Sequence, residues 1–255
     1  MSKSHTIVMT AMLLIWTALG AGEDTKTRIK DGIVRGDLQK KALALVFTGD
    51  AFAEGGNIIL DALKTRGAKA SFFLTGNFLR NPQFPALLKR IIQDGHYLGP
   101  HSDRHLLYLS WTQNQLLVGK DEFTRDVQDN LREIARLGVD LSRIKFWIPP
   151  YEHYNETVVQ WSQELGLTLL NYSPGTISHA DYTGEQDSNF RSSQQIFDSI
   201  LKKEKEDPNG LNGFILLLHI GAGAGRKDKF HLRFPELLDF LKKRDYKMLR
   251  VDELL

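Results

Sequence analysis

Apolar positions along this chain follow two alternating rhythms. Short continuous apolar runs at residues 42–47, 70–74, 96–99, 145–148, 167–170, 213–218 and 247–251 are each bounded by turn residues and read as buried strands. Between them, apolar residues recur every three or four positions. That spacing predicts helices over 58–63, stopped by Gly67, over 85–93, stopped by Asp94-Gly95, and over 116–137, stopped by Gly138. Three more follow: one capped by Asn155 and running to Leu165, one over 190–206 and one over 234–243. Strict alternation of strand and helix implies parallel pairing through right-handed crossovers, the α/β class. Seven such units can close into a barrel or remain an open doubly wound sheet, and a distorted (β/α)7-type barrel forming a single domain is the expected architecture. A dinucleotide-binding sheet would place Gly-x-Gly-x-x-Gly after its first strand, where this chain has Thr48-Gly49-Asp50. The glycine-rich stretch 221–225 follows the sixth strand and lacks Gly-Lys-Ser/Thr, so it reads as a mobile loop at the rim of a site.

Composition narrows the function classes. With 255 residues, 42% of them hydrophobic, the chain can bury one sizeable core. The net charge of +2 comes from interspersed acids and bases, with no basic stripe, which argues against a nucleic-acid partner. The absence of Cys removes disulfides, thiolate catalysis and Cys-type zinc sites. Lys3 and His5 precede an apolar run at 7–19 that ends in Gly20, Ala21 and Gly22, the layout of an export signal. The run is shorter than the ~20 residues a membrane span needs, so no stable span is expected once the signal is removed. The expected organisation is a signal peptide over 1–22, a linker over 23–39 and a catalytic domain over 40–255 of an exported protein, periplasmic or secreted.

In a parallel barrel, the C-terminal ends of the strands open onto one face, where chemistry sits. The polar residues just beyond each predicted strand are Asp50, then Thr75 and Asn77, then His101 and His105. Tyr151, Glu152 and His153 follow, then Asn171 and Tyr172, and finally His219. His101 and His105 are four residues apart, a spacing that chance supplies about 0.25 times in a chain with 8 His, so position carries more weight than spacing. One carboxylate with two imidazoles suffices for a catalytic zinc that keeps a position open for water.

Over about residues 40–255 these segments resemble the polysaccharide deacetylases of carbohydrate esterase family four. His101-Ser102-Asp103-Arg104-His105 matches the family's His-Ser-x-x-His motif, and Phe47-Thr48-Gly49-Asp50 stands at its first-strand motif. Ala68-Lys69-Ala70-Ser71-Phe72-Phe73 matches its second strand, Ile148-Pro149-Pro150-Tyr151 its Arg-Pro-Pro-Tyr motif, and Leu216-Leu217-Leu218-His219 its last. Asp181-Tyr182 stands against the family's Asp-Trp motif and equally suits a plain turn. The resemblance implies metal-dependent removal of acetyl groups from an N- or O-acetylated glycan. It implies a divalent metal, Zn2+ foremost, on Asp50, His101 and His105, with His219 as acid and a backbone N–H near Tyr151 meeting the oxyanion. Pro150, Tyr151, Asn171 and Tyr172 are the expected substrate-binding wall. Two positions depart from the pattern. Gly49 stands where the family's base Asp is expected, and Ile148 replaces the Arg that orients that base. Losing both together is coherent, because an unpaired buried Arg is costly. Three readings follow: Glu152 supplies the base, metal-bound water acts with His219 alone, or the chain is a carbohydrate-binding pseudoenzyme. A metal hydrolase acting on a non-sugar amide or ester is a further enzymatic reading.

Overall fold

The computed structural model describes residues 25–255, so the expected signal peptide at 1–22 lies outside the described residues. In chain order the elements are β1 (Thr27–Ile29), β2 (Gly32–Arg35), β3 (Ala42–Gly49), α1 (Gly56–Thr65), β4 (Ser71–Leu74), α2 (Gly76–Leu79) and α3 (Pro85–Gln93). They continue with β5 (Tyr97–Pro100), α4 (Lys120–Arg136), β6 (Phe146–Trp147), α5 (Glu156–Glu164), β7 (Thr168–Leu169) and α6 (Ser193–Glu206). The chain closes with β8 (Phe214–His219), α7 (Phe234–Lys243), β9 (Lys247–Leu249) and α8 (Val251–Leu254).

Strand β3 lies at the centre, parallel to β8 on one side and to β4 on the other, and β4 is parallel to β5. The wall then continues through short segments. Ile148 N–H donates to the Pro100 carbonyl (3.3 Å), β6 pairs with β7, and Asn171 N–H donates to the Ile33 carbonyl (2.9 Å). Strand β2, antiparallel to β8, fills the last gap. The expected distorted barrel therefore forms, with one antiparallel strand from a segment expected to be linker. That strand exists because Lys30 and Asp31, both at positive φ (44° and 65°), make the two-residue turn that matches strand twist. It also buries Ile33 and Val34. Helix α4 starts at Lys120 rather than near residue 116, because Leu117 N–H bonds back to the Tyr108 carbonyl (2.8 Å).

Side chains alternate across the wall as a pleated strand requires. Ala42, Ala44, Val46, Phe73, Ile215 and Leu217 point into the barrel, whose lower end is plugged by Val251 and Leu254 of α8. Leu43, Leu45, Phe47, Phe72, Leu216 and Leu218 face the outer helices. Carried one step further at the upper ends, the same alternation turns Thr48, Asp50, His101 and His219 inward.

Arg35 at the end of β2 ties this closing strand to the turn before β8. It donates to the Asp207 carboxylate (2.8 Å) and to the carbonyls of Gly210 and Asn212 (both 2.8 Å). Although partial burial works against ionisation, Arg35, Lys203 and the Asn209 N–H together hold the Asp207 carboxyl down at about 2. A depressed carboxyl contributes stability above its ordinary pKa and loses it as pH falls towards the folded value. Asp207→Asn is therefore expected to lower stability by about 2 kcal/mol at pH 7, with the gap closing between about pH 4 and pH 2 in urea-unfolding curves.

Candidate functional site

The upper strand ends open into a cavity of about 590 Å3 whose walls include Asp50, His101, His105, Glu152, Tyr172 and His219. The loop carrying the two imidazoles is bent sharply, with Ser102 and His105 at φ 71° and 56°. It is held from several sides. Ser102 Oγ accepts the His105 N–H (2.9 Å), and Asp103 pairs with both terminal nitrogens of Arg80 (2.5 and 3.1 Å). From α4, Asn130 accepts the His101 N–H (2.8 Å) and donates to the Leu74 carbonyl (3.1 Å). Asp126 accepts the Arg104 N–H (3.1 Å) and the Tyr108 hydroxyl (2.6 Å). Both are fully buried on a face otherwise built from Phe123, Val127 and Ile134. Asn130→Ala strands two buried backbone groups, and a stability loss of about 2 kcal/mol or more in denaturant titrations is the expected result.

His101 Nδ1 lies 2.8 Å from the Ile148 carbonyl, which fixes Nδ1 as the donor and leaves Nε2 with its lone pair. Burial, aided by the neighbouring His105, holds His101 well below its usual pKa. His105 is also lowered by burial, against the pull of Asp50. Neutral imidazoles are the ligand form. Their ring centroids stand 5.2 Å apart, and two imidazoles sharing one tetrahedral zinc would stand about 5 Å apart. Asp50 Oδ1 is steadied by the Thr75 hydroxyl (2.7 Å) and the Asn77 amide (3.2 Å). Among the described residues no three His, Asp or Glu side chains are already grouped closely enough to hold a metal ion. The fit to a divalent cation is one of donor chemistry and imidazole spacing.

Across the cavity, Asp181 receives both the His219 backbone N–H (2.9 Å) and its Nδ1 (2.7 Å). Burial alone would lower His219, but the Asp181 carboxylate outweighs it and the pKa ends above the ordinary value. The turn bearing Asp181 is clamped by the buried Arg226, which donates to the carbonyls of Thr183 (2.8 Å), Arg191 (2.9 Å) and Asp228 (2.6 Å). Sequence reading left Asp181 undecided, because its partner lies 38 residues away.

Tyr151 and Glu152 are both left-handed, at φ 60° and 52°. Two such residues in succession store strain that the surroundings must hold. The Asn171 amide does part of this by donating to the Glu152 carbonyl (2.8 Å), while its Oδ1 accepts the Tyr172 N–H (2.7 Å). Asn171, expected in the substrate wall, thus acts on the backbone and does not line the cavity, and Pro150, expected there too, is buried and outside the lining. Tyr151 and Tyr172 do line it. Burial drives the Glu152 carboxyl up to about 7, with Asp181 adding to the rise and His219 opposing it.

Gly49 touches the cavity with its backbone only. A Cβ placed there would lie 2.6 Å from Ile220 Cγ2 and 3.0 Å from Leu74 Cδ2, in the outer apolar layer. The inward position is Thr48, paired in register with His219, and its buried hydroxyl has no hydrogen-bond partner. Ile148 is also inward and fully buried, packed in the barrel interior.

Residues 35–170 match the family model described as polysaccharide deacetylase. A peptidoglycan-N-acetylglucosamine deacetylase of Bacillus cereus is 29% identical over 205 residues, covering 79% of this chain and 65% of that protein. The peptidoglycan-N-acetylmuramic acid deacetylase PdaA of Bacillus subtilis is 25% identical over 245 residues, covering 92% and 80%. Among solved structures, a CE4 family pseudoenzyme from Bacillus anthracis superposes with a TM-score of 0.67 at 20% identity, covering 89% of this chain and 69% of that one. A mutant of that pseudoenzyme is described as having restored enzymatic activity. A peptidoglycan N-acetylglucosamine deacetylase superposes with a TM-score of 0.68 at 23% identity, covering 87% and 91%. These structures share the fold of this chain.

Proposed function

Because the chain belongs to the polysaccharide deacetylase family, we propose that it hydrolyses acetyl groups from an acetylated glycan, with Glu152 and His219 as its proton-handling pair. The observation that supports this most directly is a carboxyl in the cavity wall with a pKa of about 7, close enough to His219 for each to influence the other. A general base works best when its pKa lies near the working pH. In this reading Glu152 takes the proton from the attacking water. His219, kept protonated by Asp181, gives a proton to the departing amine or hydroxyl, and the Tyr151 N–H is the proposed contact for the oxyanion. Asp50, His101 and His105 would hold a divalent cation, Zn2+ foremost, which when bound polarises the acyl carbonyl and acidifies water.

A second reading, a glycan-binding pseudoenzyme, draws support from the apolar filling around Gly49 and Ile148. Acetate release from a panel of acetylated oligosaccharides separates the two, measured on chelator-treated protein with and without added Zn2+. The expected result is release that returns with the metal, alongside a zinc-binding isotherm that Asp50→Ala weakens. Glycan binding with no release across the panel would establish the pseudoenzyme instead. Export is part of the proposal, since cell-wall glycans are what the relatives' names specify. Mass spectrometry of the mature N-terminus tests it.

A further inference from the structure

Among the described residues, the four most exposed aromatic side chains are Phe52 (52%), Trp111 (61%), Tyr151 (42%) and Tyr182 (49%). All four line the one cavity that holds the catalytic candidates. Exposed rings gathered at one mouth are a recognition feature, because leaving large apolar faces in water is unfavourable without a partner. Two of them lean on imidazoles inside the cavity. Tyr151 packs on His105 (4.4 Å between centroids) and Tyr182 on His219 (4.8 Å). Trp111 stands further out, edge-on to Tyr151 (5.7 Å, 80°), with one face stacked on His153 (4.7 Å, 24°). Phe52 closes the opposite rim against Gly223, where a Cβ would lie 2.7 Å from its ring.

Apart from His219, whose imidazole is already paired with Asp181, the charge of this lining is one-sided. The lining holds the carboxylates of Asp50 and Glu152, and among the described lining residues there is no Lys or Arg. Cations near the rim are already engaged: Lys229 with Glu54 (2.5 Å), and Arg104 with Glu122 (3.2 Å) and Asp126 (3.4 Å). Aromatic faces carry negative quadrupole density, so they attract the C–H face of a pyranose and repel an anion. A carboxylate-bearing sugar seated on these rings would be desolvated with no Lys or Arg in the lining to pair with it.

We propose that this ring-walled mouth selects an uncharged acetylated pyranose chain, and that Trp111 carries the sugar next to the one whose acetyl group enters the cavity. The inference rests on the glycan reading above. Isothermal titration with tetra-N-acetylchitotetraose, and with a tetrasaccharide of equal length whose alternate sugars carry lactyl carboxylates, tests it. The uncharged tetramer is expected to bind at least tenfold tighter. Trp111→Ala should weaken that binding at least tenfold and weaken N-acetylglucosamine binding less than twofold, with Trp111→Phe recovering most of the loss. Equal or tighter binding of the charged chain, or a Trp111→Ala isotherm that matches wild type, overturns it. Acetate release without this preference would sink the inference and spare the deacetylase. The preference without acetate release would do the reverse.

Discussion

Glu152→Gln is expected to lower kcat for acetate release by about 10^2- to 10^4-fold, the range general-base removal covers, while glycan affinity changes little. Glutamine keeps the size of the side chain and the backbone anchor from Asn171, so a collapse in rate isolates the proton-accepting role. The pH profile carries the same assignment. Glu152 must be ionised to act as base, so the rate should rise through about pH 7. His219 must be protonated to act as acid, and because Asp181 raises its pKa, the falling limb should lie above the ordinary imidazole value. Glu152→Gln should remove the rising limb, and Asp181→Asn should move the falling limb to lower pH. Full acetate release by Glu152→Gln would eliminate Glu152 as the base.

The same substitution has a consequence for stability with the opposite sign. A carboxyl whose folded pKa is raised from 4.5 to about 7 favours the fold below pH 4.5 and loses that advantage as pH rises through 7. The shift corresponds to about 3 kcal/mol, of which the solvent the side chain still touches screens part, leaving about 2 kcal/mol. Glu152→Gln should therefore unfold at higher denaturant concentration than wild type at pH 8, with the advantage vanishing by pH 4. A residue that strains the backbone and destabilises the neutral-pH fold, yet borders the cavity, fits a functional role better than a structural one.

Long apolar runs made the barrel legible. Residues 42–47, 70–74 and 213–218, with Ser71 as their one polar member, became β3, β4 and β8, and β3 and β8 carry Asp50 and His219 to one face. What failed was local and short. Strand β2 offers only Ile33 and Val34 as apolar signal, and its pairing depends on a turn at Lys30-Asp31 whose geometry outweighs composition. Within the site, Asp181 and Asn130 contribute through partners distant in sequence, which spacing cannot reveal. Asp126 and Asn130 did leave a trace: two polar residues one turn apart on the apolar face of a helix must meet something buried. The expected seat of the family's base also shows where motif matching stops. A motif assigns a column, and the pleat decides which way that column points.

That distinction can be tested at positions 48 and 49. Gly49→Asp would push a Cβ to 2.6 Å from Ile220 Cγ2 and press a carboxylate against Leu74 and Phe78, all fully buried. Ile220 is β-branched and stiff at χ1, so the clash is relieved only by moving the backbone. Overpacking costs about 1–3 kcal/mol, and an unpaired buried carboxylate adds to it. A stability loss of about 3 kcal/mol or more is expected, with no gain in acetate release. Thr48 is buried as well, but it already carries a Cβ and faces the other side of the strand. Its side chain borders the cavity, its hydroxyl is unpartnered, and it sits across from His219. In the Glu152→Gln background, Thr48→Asp is expected to recover acetate release by about tenfold or more, because the new carboxylate stands in the cavity lining in register with His219. Gly49→Asp in the same background should recover nothing. The reverse outcome, rescue from 49 and none from 48, would mean that the strand end turns the other face to the substrate and that the inward register derived for β3 stops short of the site.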